Sequence, residues 1–131
     1  MNSMDFKRSP CAIANMLDIL GDKWSLLVIR DLFFGKTTYS ELQASIEKIP
    51  SNILAQRLKH LLKEGLIQKQ QYQNRPVRYN YSLTKKGHDL TDILQAILAW
   101  GNKYFPGTYT RDQIEAYREQ IRLAKIDSAS S

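Results

Sequence analysis

Cysteine, long apolar runs and catalytic motifs are scarce in this chain of 131 residues. Its single cysteine, Cys11, excludes an intrachain disulfide and a cysteine-rich zinc site. No apolar run approaches the roughly 20 residues that a membrane span needs, and residues 1–10 lack the apolar core of a secretion signal. Repeats and low-complexity tracts are absent as well. We therefore expect a cytoplasmic protein with one domain and an added helix.

The sequence patterns that accompany catalysis are also missing. His60 and His88 fall in different predicted helices, and neither has further metal ligands at a suitable spacing. The chain contains no GxSxG, no phosphate-binding P-loop and no HExxH sequence. Asp18, Asp22 and Asp31 are explained more simply as helix caps and surface charges. We predict that the protein is not an enzyme and has no metal or other cofactor.

Acidic residues are almost absent from the middle of the chain. Between Ser51 and Lys86 there are eight lysines and arginines but one acid, Glu64, which gives a net charge of +7. Residues 1–50 have a net charge of zero and residues 87–131 a net charge of −1. A positive excess confined to one segment is typical of a nucleic-acid-binding surface. The alternative is a basic face that is merely solvated.

Apolar spacing and capping residues predict four helices in the first half of the chain. Ser9 and Pro10 suit the N-cap and first helical position of a helix that ends at Gly21. The second helix covers Trp24–Phe34 and is expected to be mostly buried. The third is short and runs from the capping box Thr38–Glu41 to about Ile46, with Leu42 and Ile46 turned inward. The fourth runs from the N-cap Ser51 to a Schellman ending at Gly65.

A hairpin and two further helices follow. Val77 to Leu83 alternates apolar and polar residues as a half-buried strand does, and residues 66–73 are a weaker strand candidate. Thr84 is expected to cap one long helix, and a second capping box at Thr110–Gln113 begins the last helix. Residues 127–131 are expected to form an unstructured tail. This order predicts a mainly α fold with a small β-hairpin, a winged helix-turn-helix.

The helix after Ser51 has two chemically distinct faces. At about 100° per residue, its leucines cluster on one side and its amide and basic residues lie on the other. Ser51, Asn52 and Gln56 are the best candidates to contact DNA base edges. Arg57 lies on the flank of this face, and Lys59, His60 and Lys63 are expected to contact phosphates. On the hairpin, Arg75 at the tip is expected to enter the minor groove and Arg78 to contact phosphate.

Several motifs, in order, resemble the HxlR-type family of transcriptional regulators. They are Cys11-Ala12-Ile13, Leu17 to Trp24, Ser40-Glu41-Leu42, Leu54 to Leu58, Glu64 to Ile67 and Tyr79 to Gly87. The resemblance covers roughly Cys11 to Gly101. It implies a cytoplasmic, dimeric winged-helix regulator that binds double-stranded DNA at a palindromic operator and dimerises through its first and long C-terminal helices. We expect residues 1–106 to form the DNA-binding and dimerisation domain and 107–131 a C-terminal helix and tail.

The same resemblance implies a role for Cys11, because several members sense electrophiles or oxidants through a cysteine at this position. The start of a helix favours a thiolate, and Lys7 and Arg8 are near in sequence. The alternative is an inert, small hydrophobic residue.

Two other functions remain open from the sequence. The basic hairpin suits a protein-interaction module with an acidic partner, although the outward amides Asn52 and Gln56 favour DNA. A regulator that responds to a small molecule would need a pocket, and the aromatic candidates for its walls are Trp24, Phe33, Phe34, Tyr104 and Phe105. Those aromatics equally suit the core and a dimer interface.

Overall fold

The computed structural model describes residues 6–130, and the side chains of residues 6–128. Its elements run α1 Ala12–Leu20, α2 Ser25–Phe33, α3 Tyr39–Gln43, α4 Ser51–Lys63, β1 Ile67–Asn74, β2 Val77–Leu83, α5 Lys85–His88, α6 Thr91–Tyr104 and α7 Arg111–Ser130. This mainly helical chain with one antiparallel hairpin confirms the predicted fold class. Within the described part, no helix is long and apolar enough to cross a lipid bilayer.

The hydrophobic core lies between α2, α4 and the base of the hairpin. Leu54, Leu58 and Leu61 recur on one side of α4 and are almost completely buried, as their spacing predicted. They pack in one cluster with the buried residues Leu20, Val28, Ile29, Leu32, Leu42, Ile49, Leu66, Ile67, Leu83 and Leu90. Because the leucines hold one face of α4 against this core, the opposite face of the helix is turned to solvent.

Both predicted capping boxes are present. The Thr38 hydroxyl accepts from the Glu41 N–H, and the Glu41 carboxylate accepts from the Thr38 N–H, which satisfies the free donors at the start of α3. Thr110 and Gln113 exchange the equivalent bonds before α7. These two local motifs determine where each helix begins.

The end of α4 and the start of the hairpin form one continuous turn. Gly65 has φ +74°, and the N–H groups of Gly65 and Leu66 donate to the carbonyls of Leu62 and Leu61, which is the predicted Schellman ending. The Thr84 hydroxyl then donates to the Gly65 carbonyl at 2.6 Å. This hydrogen bond joins the C-terminal end of β2 to the C-terminal end of α4.

The hairpin pairs β1 with β2 from Ile67–Leu83 at its base to Asn74–Val77 at its tip. The register shifts between Gln71 and Gln73, so Tyr72 is an extra residue on β1. The segment before α3 also joins the hairpin, since the Tyr81 N–H donates to the Thr37 carbonyl at 2.8 Å. The hairpin is therefore held directly beside α3, which is the first helix of the helix-turn-helix unit formed by α3 and α4.

Two of the predicted helix starts and the length of a third predicted helix are wrong. α1 begins at Ala12 with Cys11 as its N-cap, because the Ser9 hydroxyl accepts from the Cys11 N–H and shapes the turn before the helix. Ser51 is the first residue of α4, and Pro50 is its N-cap. Thr84 caps the short α5 and not one long helix, since the Leu90 N–H donates to Gly87 and interrupts the helical ladder before α6.

Two further predictions are wrong in the short helix and at the C-terminus. Ile46 is 70% exposed, because α3 ends at Gln43 and the following turn buries Ser45 and Ile49 instead. Residues 127–130, predicted as part of an unstructured tail, continue α7, and Ser131 lies outside the described residues.

The last helix packs back on the helical domain. The Arg118 guanidinium lies 4.1 Å from the centre of the Phe33 ring, and Tyr117 meets the Phe34 ring edge-on at 5.6 Å. Lys125 donates to the Glu41 carboxylate at 3.1 Å. α7 therefore contacts α2 and the first helix of the helix-turn-helix unit.

Candidate nucleic-acid interface

The solvent face of α4 carries amides, amines and one small residue. Asn52, Gln56, Lys59 and Lys63 are all exposed along one stripe of the helix. Among the described residues, no hydrogen bond or ion pair engages their side chains. Ala55 is exposed beside them, and its small side chain leaves room for the helix backbone to approach a surface closely. This arrangement presents donors and acceptors suited to base edges and to phosphates.

Ala55 was missed by the sequence reasoning, which searched only for polar groups. The signal was available, because an alanine at this helical angle interrupts the polar face without joining the leucines.

Three of the predicted DNA contacts are engaged within the protein. The Tyr39 hydroxyl donates to the Ser51 carbonyl at 2.6 Å and lies 2.8 Å from the Ser51 hydroxyl. Arg57 lies 3.4 Å from the Asp22 carboxylate. His60 is half-buried, and its Nε2 donates to the Ile19 carbonyl at 2.8 Å.

These bonds fix the position of α4 relative to its neighbours. Tyr39 ties the start of α4 to α3, while Arg57 and His60 tie its middle to the end of α1 and the start of α2. The predicted outward orientation of His60 is wrong, because the angle around the helix does not reveal that the end of α1 lies beside it.

Asp22 joins α4 to the first turn of α2. Its carboxylate accepts from the N–H groups of Trp24 and Ser25 at 3.0 Å and from the Ser25 hydroxyl at 2.5 Å. Burial alone would raise the pKa of Asp22, but these hydrogen bonds and the nearby Arg57 lower it overall. Asp22 therefore stays charged and pairs with Arg57 at ordinary pH.

The hairpin adds basic and hydroxyl groups beside α4. Arg75 is exposed in the turn, and Arg78 is exposed on β2. Arg78 lines an open cavity of about 390 Å³ between the hairpin and α3 together with Tyr39, Ser40 and Tyr72. No acidic side chain lines this cavity. Arginine and hydroxyl groups without an acid form a surface suited to a phosphate backbone.

Ser40 and Tyr72 are additions to the residues predicted from the sequence. Tyr72 reaches this side because it is the extra residue of β1, and strand alternation alone does not predict such an irregularity. Tyr39 also links the two parts of the interface, since it lines the cavity and bonds to the first residue of α4.

Cys11 is exposed at the N-cap of α1, one position before the helical turn in which it was expected. The Asn15 amide donates to the carbonyls of Ser9 and Cys11 at 2.8 and 2.7 Å, which holds this turn in place. Arg8 forms an ion pair with Asp18 at 2.8 Å. The thiol is therefore accessible on an ordered turn.

The five aromatic residues considered as one ligand pocket do not come together. Phe33 and Phe34 line an open cavity between α2, α6 and α7, whereas Trp24 packs against the core. Tyr104 and Phe105 lie against the Trp100 ring, with ring centres 5.2 and 5.7 Å apart from it. In residues 6–128, no cluster of three or more His, Cys, Asp or Glu side chains is arranged to hold a metal ion.

Large apolar side chains are exposed on α1 and α6. On α1, Ile13 and Leu17 are more than half exposed, and on α6 Trp100 is 59% exposed. Ile97 on α6 and Phe105 just after this helix are also about half exposed. Large apolar side chains exposed in such numbers are typical of a contact surface.

A family model described as HxlR-like helix-turn-helix matches residues 19–109. An uncharacterised HTH-type transcriptional regulator of Mycobacterium tuberculosis is 33% identical over 95 residues, which are 72% of this chain and 60% of that protein. The chain thus spans about 60% of the length of this relative. The regulator YtcD of Bacillus subtilis is 29% identical over 97% of this chain and all of its own length.

The solved structures similar to this fold include the transcriptional regulator YodB from Bacillus subtilis. Its reduced form has a TM-score of 0.63 and 28% identity, covering 77% of this chain and all of that one. The same protein after treatment with diamide has a TM-score of 0.58 and 30% identity, over 72% of this chain and 94% of that one.

Proposed function

Since the chain belongs to the HxlR-like helix-turn-helix family, we propose that it is a transcriptional regulator that binds a specific DNA sequence and is not an enzyme. The observation that carries this proposal is the solvent face of α4, where Asn52, Gln56, Lys59 and Lys63 stand beside the basic hairpin with no acid among them. A regulator of this kind acts on the chromosome, so we place it in the cytoplasm.

In this proposal α4 enters the major groove of double-stranded DNA. Asn52 and Gln56 contact base edges, because an amide can pair bidentately with adenine. Lys59 and Lys63 neutralise phosphates, since they lie toward the far end of the helix. Ser51, Arg57 and His60 act indirectly by holding α4 in place, as their hydrogen bonds and ion pair within the protein indicate.

The hairpin contacts the DNA beside the groove that α4 occupies. Arg78 meets the phosphate backbone together with the hydroxyls that line the same cavity. Arg75 at the tip enters the neighbouring minor groove, where arginine favours the narrow grooves of A·T-rich DNA.

We further propose that two copies of the chain form a homodimer through α1 and α6. The exposed apolar residues on these helices support this contact, because large apolar side chains grouped on a surface favour an interface that removes them from water. A twofold dimer presents two α4 helices to DNA, so its operator is palindromic, with half-sites about one helical turn apart.

Selection of binding duplexes from a random-sequence pool tests this function directly. The expected result is an enriched motif made of two inverted half-sites. If the protein regulates its own gene, a footprint of its own upstream region should show protection of the same motif. A pool that stays unenriched through repeated rounds, while control DNA-binding proteins enrich theirs, would refute sequence-specific binding.

A second proposal concerns Cys11, which is exposed on an ordered turn at the start of α1. The similarity to YodB, whose structure is known in a reduced form and after diamide treatment, supports a redox response. With no second cysteine in the chain, two Cys11 thiols from different subunits would give up their hydrogens to an oxidant such as diamide and join as a disulfide. With a small thiol present, the product would be a mixed disulfide.

This role predicts that diamide changes DNA affinity in the wild type but not in Cys11→Ser. The measurement is the DNA binding constant before and after diamide, with a non-reducing gel to detect the intersubunit disulfide. A Cys11→Ser variant that binds DNA and keeps the full diamide response would exclude Cys11 as the sensor.

A further inference from the structure

An open cavity of about 370 Å³ lies between α2, α6 and α7. This volume falls within the usual range of small-molecule sites, about 300–1,000 Å³. Its third wall comes from α7, which lies beyond the segment that matches the family model. The side chains that form its walls are mostly apolar and include Leu26, Leu27, Phe33, Leu94, Leu98 and Ile114.

The polar groups at this cavity are two cationic side chains, the neutral Thr91 and Gln95, and one acid. Arg30 and Arg111 both line it, and among the described residues Arg111 has no ion-pair partner. The one acid at the rim, Glu115, lies 3.8 Å from Arg118, which offsets its charge. An apolar chamber with two arginines favours a ligand that combines an apolar body with a single negative charge.

Arg30 connects this cavity to the helix-turn-helix unit. Its guanidinium donates to both oxygens of Glu47, at 2.9 and 2.8 Å, and to one oxygen of Asp31. Glu47 belongs to the turn between α3 and α4, and the hydrogen bonds from Arg30 lower its pKa, so the bond is ionic at ordinary pH. A second anion that bonds to Arg30 would compete with Glu47 for the same guanidinium.

We propose that this cavity binds a small monocarboxylate with an apolar ring, and that the bound carboxylate weakens the hold of Arg30 on the α3–α4 turn. Because α4 is positioned from that turn, the ligand lowers the affinity of the protein for DNA. This effect on DNA rests on the proposed function, whereas the binding of the ligand does not.

The charge and size of the site exclude other ligand classes. A cation would be repelled by Arg111, which is unpaired among the described residues, and a phosphate or dicarboxylate would bring more charge out of water against the apolar walls than this one arginine balances. A neutral apolar molecule would pack against the apolar walls but would not compete with Glu47 for Arg30, so it would leave DNA binding unchanged.

The test of binding uses benzoate and phenylacetate as probes, with benzamide as the neutral counterpart, and titrates them calorimetrically into the full chain. We expect saturable binding of at least one carboxylate and binding of benzamide at least about tenfold weaker, since the charge is the difference between them. Failure of both carboxylates to bind, or equal affinity for benzamide, would overturn the proposal.

Two variants locate the site. Leu98→Trp fills the cavity and should abolish benzoate binding, provided that its circular dichroism and thermal midpoint show a folded protein. Arg111→Gln changes an exposed residue and should weaken benzoate several-fold without affecting the fold, whereas the matched control Arg122→Gln on α7 should bind as the wild type does. Unchanged affinity in both Leu98→Trp and Arg111→Gln would place the ligand elsewhere and overturn the assignment.

The coupling is measured as the DNA binding constant with and without saturating benzoate. We expect benzoate to weaken DNA binding about fivefold or more, and DNA to weaken benzoate binding by the same factor, because the coupling between two ligands is reciprocal. Benzoate that binds without changing DNA affinity would refute the Arg30 mechanism. DNA binding without any ligand tests the proposed function separately.

Discussion

Lys59 and His60 are neighbours on α4, yet their side chains have opposite surroundings. Lys59 is exposed on the interface, and His60 is half-buried with its ring bonded to the Ile19 carbonyl. Lys59→Ala should therefore leave stability unchanged and reduce the salt slope of DNA binding by about one unit for each subunit of the bound dimer, as expected for one lost phosphate contact per subunit.

His60→Ala should have the converse effect. Removing the ring takes the donor from the part-buried Ile19 carbonyl, which costs roughly 1 kcal/mol in the free energy of unfolding, while the salt slope stays at its wild-type value. Urea denaturation and DNA titration over a salt series measure the two quantities. A His60→Ala protein that is as stable as the wild type but loses a unit of salt slope would place His60 on the DNA after all.

For single residues, the sequence predicts which side of a helix a residue lies on better than it predicts which residues that side contacts. The spacing of Leu54, Leu58 and Leu61 was enough to orient α4, and it placed Asn52 and Gln56 correctly in solvent. The partners of Arg57 and His60 come from α1 and the start of α2, more than 30 residues away in the sequence. Such pairings depend on tertiary packing, which periodicity does not contain.

Among the elements, α3 shows most clearly how a short helix is held in place. Burial would raise the pKa of its Glu41, but the N–H groups of Thr37 and Thr38 and the Lys125 amine lower it to about 2. Since the folded-state pKa lies below the ordinary value of 4.5, the charged carboxylate stabilises the fold above pH 4.5. That stabilisation is lost as the pH falls from 4.5 toward 2.

Glu41→Gln should therefore lower the thermal midpoint at pH 7 and reduce its fall between pH 5 and pH 2. Glu119→Gln is the matched control, because its carboxylate pairs with Arg122 on the exposed side of α7, where solvent screens the charge. Thermal unfolding at several pH values provides the measurement. Equal pH dependence in Glu41→Gln and the wild type would contradict the role of this carboxylate.

The elements that the sequence predicts well are those whose signals are local. The capping boxes at Thr38 and Thr110 and the Schellman turn at Gly65 each involve residues within one helical turn. The break between α5 and α6 is different, because it follows a helix that is held by a contact distant in sequence: Gly87 packs so closely on the Leu66 carbonyl that a β-carbon would lie 2.1 Å from it. That close approach is a tertiary contact, and Thr84 is an equally good cap for a short helix or a long one.

The position of α7 was equally hidden in the sequence. Besides the Tyr117 ring on Phe34, its inward contacts include those of Arg118 and Lys125, whose charged ends lie against Phe33 and Glu41. Hydrophobic spacing treats both residues as solvent-facing, so the sequence predicts the helix but not the surface that it covers.

For the whole molecule, the exposed apolar residues of α1 and α6 predict a homodimer. Trp100→Glu should shift the protein from dimer to monomer at micromolar concentration, because it places a charge where apolar side chains would be buried. Leu123→Glu, at an exposed leucine of α7 outside this surface, should remain a dimer. Analytical ultracentrifugation distinguishes the two. A wild type that is only monomeric, or a Trp100→Glu protein that remains dimeric, would contradict this interface.

The claim that α4 reads DNA sequence is tested most directly by a paired titration of the wild type and Gln56→Ala. Each protein is titrated on a duplex selected from the random pool and on a scrambled duplex of equal length. Loss of one amide contact to a base in each half-site should cost roughly 1–3 kcal/mol per half-site on the selected duplex and almost nothing on the scrambled one. Equal losses on both duplexes would mean that Gln56 contacts the DNA backbone and not a base, which would contradict its role in reading the operator from α4.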